Sequence, residues 1–393
     1  MSKQPAQPWR PGPARGVTIR FSPVSTRRIF VLLLGLLLAL DASPQEERKK
    51  RKKKKKAEEE PVTQTLPLLP EPPGAVVAET GRLVFHVSPL SPKGLLSQQV
   101  RDGIKALLRD NRGAAIVKLR AFVAGTGDMR RVAAIVSEVF PEHKLALPAV
   151  STIQVGALPM EGAQVVLESV GVDKKTLNPN GLAFFSGQQA KDVRQAVAQL
   201  QTAVNAAGVK STEVLRATCF LSSIDDVATA RAALGGAFPA AASAFVQLQR
   251  LGLEPLAECE AVGRLNSPPS SSVVFMNPPG LVKSPNYSQI ALVNAPKVVF
   301  SGTQMAFRDQ DADIRLALER LRKAIEPLGV TYDDVFWSSY YPLTRTIADK
   351  IRSLRFDFFD RTRPPASTFL LFEGLPSLDA TVALDVTAAL PNR

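Results

Sequence analysis

Hydrophobic residues recur at three- and four-residue spacing in three segments beyond residue 74. The segments are QQVRDGIKALLRD (98–110), KDVRQAVAQLQTAV (191–204) and ADIRLALERLRKAI (312–325). Each pattern places an apolar stripe along one face, so we predict three amphipathic helices. A run rich in β-branched and aromatic residues follows each helix and predicts a strand. These three runs are AAIVKLRAFVAG (114–125), TEVLRATCFLSS (212–223) and DDVFWSSYYPLT (333–344).

The same three stretches of chain continue with a second helix and two closing strands. The predicted second helices, all ending in phenylalanine, cover residues 127–140, 225–238 and 345–359. The predicted closing strands pair 148–155 with 163–172, 243–249 with 257–265, and 366–373 with 381–390. Opening strands are predicted at 82–90, 181–188 and 297–304. The chain therefore repeats one unit three times, in the order strand, helix, strand, helix, strand, strand.

Some closing strands are apolar on both alternating faces. STIQVGAL (151–158) and STFLLFEGL (367–375) are examples, and they share a Pro-Ala, Ser-Thr, Leu-Pro pattern. Two helices can cover only one face of a sheet, so the second face must be buried elsewhere. We therefore predict an α+β fold in which three sheets pack face to face around a pseudo-threefold axis, as a closed internal trimer rather than an open solenoid. The predicted repeats cover 74–172, 173–266 and 267–393.

Positive charge is concentrated at the N-terminal end. The chain has a formal net charge of +13, of which residues 1–60 carry +9, since they hold 15 Lys/Arg and 6 Asp/Glu. The remaining residues carry only +4. Because this part is nearly balanced, a nucleic-acid-binding surface on the folded part is disfavoured.

Two N-terminal segments predict targeting. The apolar block IFVLLLGLLLAL (29–40) follows Arg27 and Arg28 and has the length of a signal-peptide core. We expect export to the periplasm or the extracellular space, with residues 1–43 as a signal peptide or as an uncleaved anchor. Residues 44–73 are predicted to be a disordered, basic and Pro-rich tether. Its nine basic residues, Arg48–Lys56, are either a solvated linker or a contact for an anionic membrane surface.

Few residues offer metal or redox chemistry. Cys219 and Cys259 lie in apolar strand-like runs and are predicted to be buried free thiols. His86 and His143 are far apart in the sequence. The sequence contains no Gly-rich phosphate loop and no Cys/His metal spacing, so we expect no metal and no cofactor.

The repeated unit resembles the Rid (YjgF) family of reactive-intermediate deaminases, also known for the liver perchloric-acid-soluble (L-PSP) ribonuclease. The third copy carries the clearest motif, NPPGLVKSPNYSQIALVNAPKVVFSGTQ (277–304), followed by RPPASTFLLFEGLP (363–376). The second copy keeps Ser-Gly-Gln at 186–188 and the closing strand ECEAVGRL (258–265). The resemblance covers residues 74 to 392 and implies a chorismate-mutase-like fold. Known members are homotrimers with ligand clefts between subunits, so it also implies a monomer that supplies three subunits covalently.

The resemblance implies site residues, but it also shows losses. Deaminating members bind the substrate carboxylate with an arginine after Pro-Ala. The positions that match this arginine hold Val150, Ser243 and Ser367, so none of the three copies keeps it. The family glutamate of the last strand is kept only as Glu258, because Val166 and Ala383 occupy the other two positions. The family tyrosine is kept only as Tyr287, and the Ser-Gly turns are kept as Ser186–Gly187 and Ser301–Gly302.

A cleft between the second and third copies is the leading candidate site, because it could combine Glu258 with Tyr287 or Ser301. Three arginines are candidates to replace the lost one, but we favour solvated strand-end charges as the interpretation of all three: Arg250, Arg264 and Arg363. The leading functional hypothesis is a divergent exported family member that binds a small molecule without the standard deaminase residues. The alternatives are an imine or enamine deaminase, or another hydrolase, with relocated groups that include Glu258 as the catalytic residue, and RNA binding or endoribonuclease activity.

Overall fold

The computed structural model describes residues 68–251 and 254–391. The apolar block at 29–40 and the basic run Arg48–Lys56 lie outside these residues, so the targeting and tether hypotheses stay predictions. Within the described part of the chain, no helix combines the length and the apolar character needed to cross a bilayer.

Six α-helices occur among the described residues, and they confirm the predicted helices with end shifts of a few residues. Asp192 caps α3 by accepting hydrogen bonds from the backbone N–H groups of Arg194 and Gln195, and Thr344 caps α6 at Ile347. The sixth helix ends at Leu354, earlier than predicted, and continues as a short 3₁₀ turn. The bounds are α1 Leu96–Asp110, α2 Arg130–Glu142, α3 Val193–Ala206, α4 Val227–Ala237, α5 Asp311–Ile325 and α6 Arg345–Leu354.

The strands of the described residues form three sheets. The first contains β2 Leu83–Val87, β3 Ala115–Ala124, β4 Ala149–Val155 and β5 Val165–Val172. The second contains β6 Leu182–Ala190, β7 Val214–Leu221, β8 Ala242–Gln247, β9 Ala257–Arg264, β10 Val273–Met276 and β11 Ile290–Val293. The third contains β1 Ala75–Glu79, β12 Lys297–Ser301, β13 Gln304–Phe307, β14 Val335–Pro342, β15 Ala366–Phe369 and β16 Ala380–Leu390.

The three sheets share one strand order. A long closing strand (β5, β9 or β16) lies between an opening strand and a middle strand (β3, β7 or β14), and it is antiparallel to both. The first of the two predicted closing strands pairs in parallel with the middle strand of each sheet. These strands are β4, β8 and β15. These pairings confirm a mixed sheet in an α+β fold, as the sequence predicted.

Two sheets take strands from outside their own predicted repeat. Strand β1, at the start of the predicted first repeat, pairs with β12 in the third sheet. Strands β10 and β11, at the start of the predicted third repeat, extend the second sheet by pairing with β6. At these two places the sheets do not follow the predicted repeat boundaries.

Both faces of each sheet are buried. Three hydrophobic clusters each join one sheet to its own pair of helices, and Leu107, Leu200 and Leu321 are fully buried members on the helix side. Two further clusters contain residues from all three sheets, which therefore meet on their other faces. Within one of these clusters, Phe122, Phe220 and Phe372 contact one another with ring centroids 5.8 to 6.5 Å apart.

A buried network of charges lies where the three sheets meet. Arg120 on β3 forms ion pairs of 2.6 Å with Glu168 on β5 and with Glu260 on β9, so it links the first sheet to the second. Lys118 lies 3.4 Å from Asp385 on β16, which links the first sheet to the third. Burial would raise the pKa of Glu168, but the positive charges of Arg120 and Arg216 outweigh burial and lower it.

The two cysteines are paired, so the prediction of free thiols is wrong. Cys219 on β7 lies directly opposite Cys259 on β9, and their Cα atoms are 4.2 Å apart. Both sulfurs lie in the core between the second sheet and its helices. The count of two cysteines could not show this, because the pairing depends on the register of two strands that are 40 residues apart in the chain.

Candidate functional site

A cavity of about 250 Å³ lies where the second sheet meets the third sheet and α6. Strands β6 and β9 and the loop before β11 form one side, while α6, the turn that follows it, and β15 form the other. The residues that line the cavity are Gly187, Gln189, Glu258, Ser284, Asn286, Tyr287, Arg352, Arg355, Ser367 and Phe369. Four of the predicted site residues therefore share this cavity: Gly187, Glu258, Tyr287 and Ser367.

Glu258 reaches the cavity because Gly187 leaves room for it. Both residues lie on adjacent antiparallel strands, and a Cβ atom placed on Gly187 would lie 1.9 Å from Oε1 of Glu258. A side chain at position 187 would therefore displace the carboxyl group. Along β9, Glu258 and Glu260 lie on the face that meets the other sheets, whereas Cys259 points toward the helices.

Burial makes Glu258 a weak acid. Burial, together with the nearby charge of Glu260, raises the pKa of Glu258 to about 8. Near neutral pH the side chain is therefore mostly protonated and can donate a hydrogen bond. Burial and then the charge of ionised Glu258 also raise the pKa of Tyr287, which lines the same cavity.

The raised pKa predicts how stability changes with pH. Unfolded Glu258 ionises near pH 4.5, whereas the folded residue keeps its proton up to about pH 8. The contribution of this residue to stability is therefore complete below the unfolded pKa and is lost as the pH rises through the folded pKa. We expect Glu258→Gln to raise the melting temperature relative to wild type by about 5 °C at pH 9 and by much less at pH 5.

Thermal unfolding of both proteins from pH 5 to pH 9 measures this difference. The matched control is Glu373→Gln, which removes the carboxylate that pairs with Arg250. The Arg250 side chain is 45% exposed. A Glu258→Gln curve that stays parallel to wild type across this range would contradict the raised pKa.

Arg355 and Arg352 bring positive charge to the opposite side of the cavity. Arg355 is only 3% exposed, and its guanidinium donates a hydrogen bond to the backbone oxygen of Asn286. The same group lies 5.3 Å from the ring centre of Tyr340, but its Nε atom is buried without a hydrogen-bond partner among the described residues. Arg352 lies over the ring of Phe369 at 4.7 Å and forms an exposed ion pair with Asp349.

Ser367 and Ser186 differ in their hydrogen bonds and in their position relative to the cavity. Ser367 lines the cavity, and its Oγ atom is buried without a hydrogen-bond partner in the described part of the chain. Ser186 is fully buried and uses its hydroxyl twice, accepting from the backbone N–H of Ser367 at 2.8 Å and donating to the oxygen of Ser288 at 2.7 Å. Ser186 therefore holds β6 against β15, and it does not line the cavity.

The other predicted site residues lie elsewhere. Ser301 is fully buried and accepts a hydrogen bond from the backbone N–H of Val386. Gly302 lies against Val150, whose backbone oxygen would be 3.1 Å from a Cβ atom on the glycine. Ser243 is half-buried, and its hydroxyl donates to the backbone oxygen of Ala241. The structure therefore brings Glu258 together with Tyr287 but not with Ser301.

Neither cavity arginine is among the residues predicted from the sequence. Of the three arginines that the sequence offers as replacements, Arg264 pairs with Glu213 at 2.7 Å, Arg250 lies 3.8 Å from Glu373, and Arg363 is exposed and lines other cavities. One signal could have identified Arg355: it continues the spacing of the buried residues Ile347 and Ile351, at four-residue steps, on the apolar face of α6.

Comparisons with known proteins point to one family. Residues 169–264 match the family model described as Endoribonuclease L-PSP. No match was found among curated proteins. A Rid-family protein of Yersinia pestis is 18% identical, covers 30% of this chain and 100% of its own, and has a TM-score of 0.27. A YjgF/YER057c/UK114-family protein of Mycobacterium tuberculosis is 21% identical, covers 25% and 82%, and has a TM-score of 0.22.

A longer solved structure is also similar. It is a chorismatase that is 11% identical, covers 78% of this chain and 98% of its own, and has a TM-score of 0.24. The family match lies on the part of the chain that carries Ser186, Gly187 and Glu258. Over residues 169–264 the predicted relationship is confirmed, since this part of the chain matches the model of the L-PSP family, to which the Rid (YjgF) proteins are related.

Proposed function

We propose that the protein binds a small carboxylate-bearing molecule in the cavity between the second and third sheets. One observation carries the proposal: the buried residue Arg355 lines this cavity opposite Glu258, and its guanidinium has an Nε atom with no hydrogen-bond partner among the described residues. Leaving a charged donor buried without a partner is costly, so a ligand that pairs with it gains that energy on binding.

The charges of the cavity favour an anion. Near neutral pH, Arg352 and Arg355 are positive while Glu258 is mostly neutral, so the lining has a positive balance. A guanidinium binds a carboxylate in a planar, two-bond arrangement, and Ser367 and Tyr287 add neutral hydrogen-bonding groups. Arg355 would then take over the role of the family arginine that is replaced by Ser367, from a different element of the fold.

Calorimetric titration of the full-length chain with pyruvate and 2-oxobutyrate tests the proposal. We expect binding at neutral pH, and we expect Arg355→Met to weaken it roughly 10- to 100-fold, because a charge-assisted hydrogen bond is lost. Ser367→Ala, which removes an unpartnered hydroxyl, should fold normally and weaken binding less. The amides of the same acids should not bind.

The matched control is Arg363→Met, because Arg363 is an exposed arginine that does not line this cavity. Equal binding of acids and amides would overturn the proposal. So would unchanged binding in a folded Arg355→Met protein. If Arg355→Met does not fold, Arg355→Lys keeps the charge and removes the planar fork, and a weakened affinity for acids alone is then the expected result.

A hydrolytic activity is the second candidate, and the raised pKa of Glu258 favours it. A carboxyl group that titrates near neutral pH can both donate and accept a proton during turnover. Ammonia release from 2-aminoacrylate generated in situ, above the uncatalysed rate and lost in Glu258→Gln, would support an imine deaminase. The same assay without any acceleration would exclude this substrate and leave the binding proposal standing.

We propose that the three sheets form an intrachain pseudo-trimer. Their shared strand order and the two clusters that contain residues of all three sheets support this arrangement. With all three sheet faces already covered, we expect the full-length chain to be monomeric in light scattering at micromolar concentration. A stable trimer of chains would contradict the proposal, since it would mean that the clefts form between molecules.

We also propose export, with residues 29–40 as the signal segment and Arg48–Lys56 as part of the tether on an anionic membrane surface or in solvent. The buried disulfide supports an oxidising compartment, where such bonds persist. Fractionation of cells that express the full chain, with N-terminal sequencing of the product, would test localisation and cleavage together. Recovery of the intact chain in the cytosol would contradict export.

A further inference from the structure

A second cavity adjoins the candidate site and has a different character. Its volume is about 420 Å³, and it shares Gln189, Arg352 and Phe369 with the first cavity. Much of its wall consists of apolar side chains, while its polar lining residues, Gln189, Glu254, Arg345, Asp349 and Arg352, are exposed. The apolar lining residues are Leu248, Leu256, Ala348, Phe369, Leu370 and Leu371.

We infer that the ligand is an amphiphilic carboxylate whose head group binds at Arg355 and whose apolar tail lies in the second cavity. The inference rests on the proposed function, because it assumes that the first cavity holds the carboxylate. It adds the chemical class of the ligand, namely an acid with an unbranched or lightly branched hydrocarbon tail rather than a small polar acid.

The shared lining residues of the two adjacent cavities support one ligand in both. Arg352 and Phe369 form the boundary, with the guanidinium stacked over the ring at 4.7 Å, and both residues line both cavities. A ligand that crosses this boundary would place its polar atoms beside Arg352 and its first methylene groups along Phe369. The exposed ion pair with Asp349 leaves Arg352 free to adjust its position, because a pair of this kind contributes little stability.

The apolar wall indicates what the second cavity accepts. Three of the apolar lining residues, Leu248, Ala348 and Leu370, are nearly fully buried, whereas Leu256, Leu371 and Phe369 are partly exposed. Filling such a space with hydrocarbon removes apolar surface from water on both partners. A short polar acid would leave this apolar surface in contact with water, so the surface would not increase its binding affinity.

Titration of the full-length chain with butanoate, hexanoate, octanoate and decanoate, below their micelle concentrations, tests the inference. We expect the affinity to rise roughly two- to fourfold for each added methylene group, until the cavity is filled. Leu371→Gln should remove most of this gain, so that it weakens decanoate and octanoate binding far more than butanoate binding. The matched control is Leu316→Gln, which changes a surface leucine that is 52% exposed and distant from the cavity lining.

The outcomes separate this inference from the proposed function. If the acids bind and require Arg355 but the affinity does not change with chain length, the inference is overturned and the proposed function stands. If none of the acids binds, both fail. If primary alcohols of equal length bind as tightly as the acids, and Arg355→Met has no effect, the second cavity is a hydrocarbon site only and an acid is not its ligand.

Discussion

Replacing Arg120 by methionine is expected to destabilise the protein by about 3–5 kcal/mol, the largest effect that we predict for one side chain. Arg120 is 5% exposed and pairs with Glu168 and Glu260 on two different sheets. Methionine keeps most of the volume of the side chain but removes the closer of the two cations that the buried carboxylates share, leaving only Arg216 at 3.7 Å from Glu168 and 3.4 Å from Glu260. The free energy of unfolding, measured by chemical denaturation at pH 7, should show the loss.

The dependence of this loss on pH identifies its cause. Arg120 helps to keep the pKa of Glu168 below its ordinary value, so the stabilising effect is present at neutral pH and is lost as the pH falls. The defect of Arg120→Met should therefore shrink as the pH falls through the lowered folded pKa of Glu168. Arg250→Met, which changes an exposed ion pair, is the control and should cost less than about 1 kcal/mol. A defect that stays constant with pH would mean that packing, rather than charge, is lost.

Removal of the disulfide between Cys219 and Cys259 should produce the second largest effect. The bond closes a loop of 40 residues, and losing a link of this size costs about 3–4 kcal/mol in the chain-entropy account. The double variant Cys219→Ala, Cys259→Ala should therefore unfold at a lower denaturant concentration than the oxidised wild type. Alanine is preferred to serine because both sulfurs lie in an apolar core.

Reduction provides an independent comparison. Wild type that is unfolded, reduced and refolded with a thiol reductant present should approach the stability of the double variant, whereas the variant itself should not respond to reductant. Thiol titration of the unfolded, unreduced wild type should find no free thiol. Two titratable thiols in that experiment would show that the cysteines are not paired in the protein.

Much of the fold could be predicted because it is encoded locally. The spacing of Val100, Ile104 and Leu107 defines the buried face of α1, and the same reasoning located the other helices within a few residues. The repeated sequence pattern also predicted that three strands would occupy equivalent positions in their sheets. Each of these strands, β4, β8 and β15, pairs in parallel with a middle strand. Such patterns depend on residues that are close in the chain.

The missed features depend on register and on distant contacts. A shift of one residue between β7 and β9 would send Cys219 and Cys259 to opposite faces, so their pairing could not be derived from composition. The family pattern could not predict Arg355, because that pattern places the arginine directly after Pro-Ala. Arg355 instead lies on the turn after α6. Glu258 and Tyr287 could be predicted as site residues through the resemblance, and the structure places both at one cavity.

The pairing of β1 with β12 has a consequence for synthesis of the chain. Ala75 pairs with Ser301, so an early segment must wait until more than 220 further residues have been made before it can join its sheet. The first sheet needs no residue after Val172 for its own pairing and can form much earlier. During translation, β1 therefore remains an unpaired strand. Exposed strand edges of this kind can start aggregation and are bound by chaperones. Slow completion of the third sheet, rather than of the first, should then limit the folding rate.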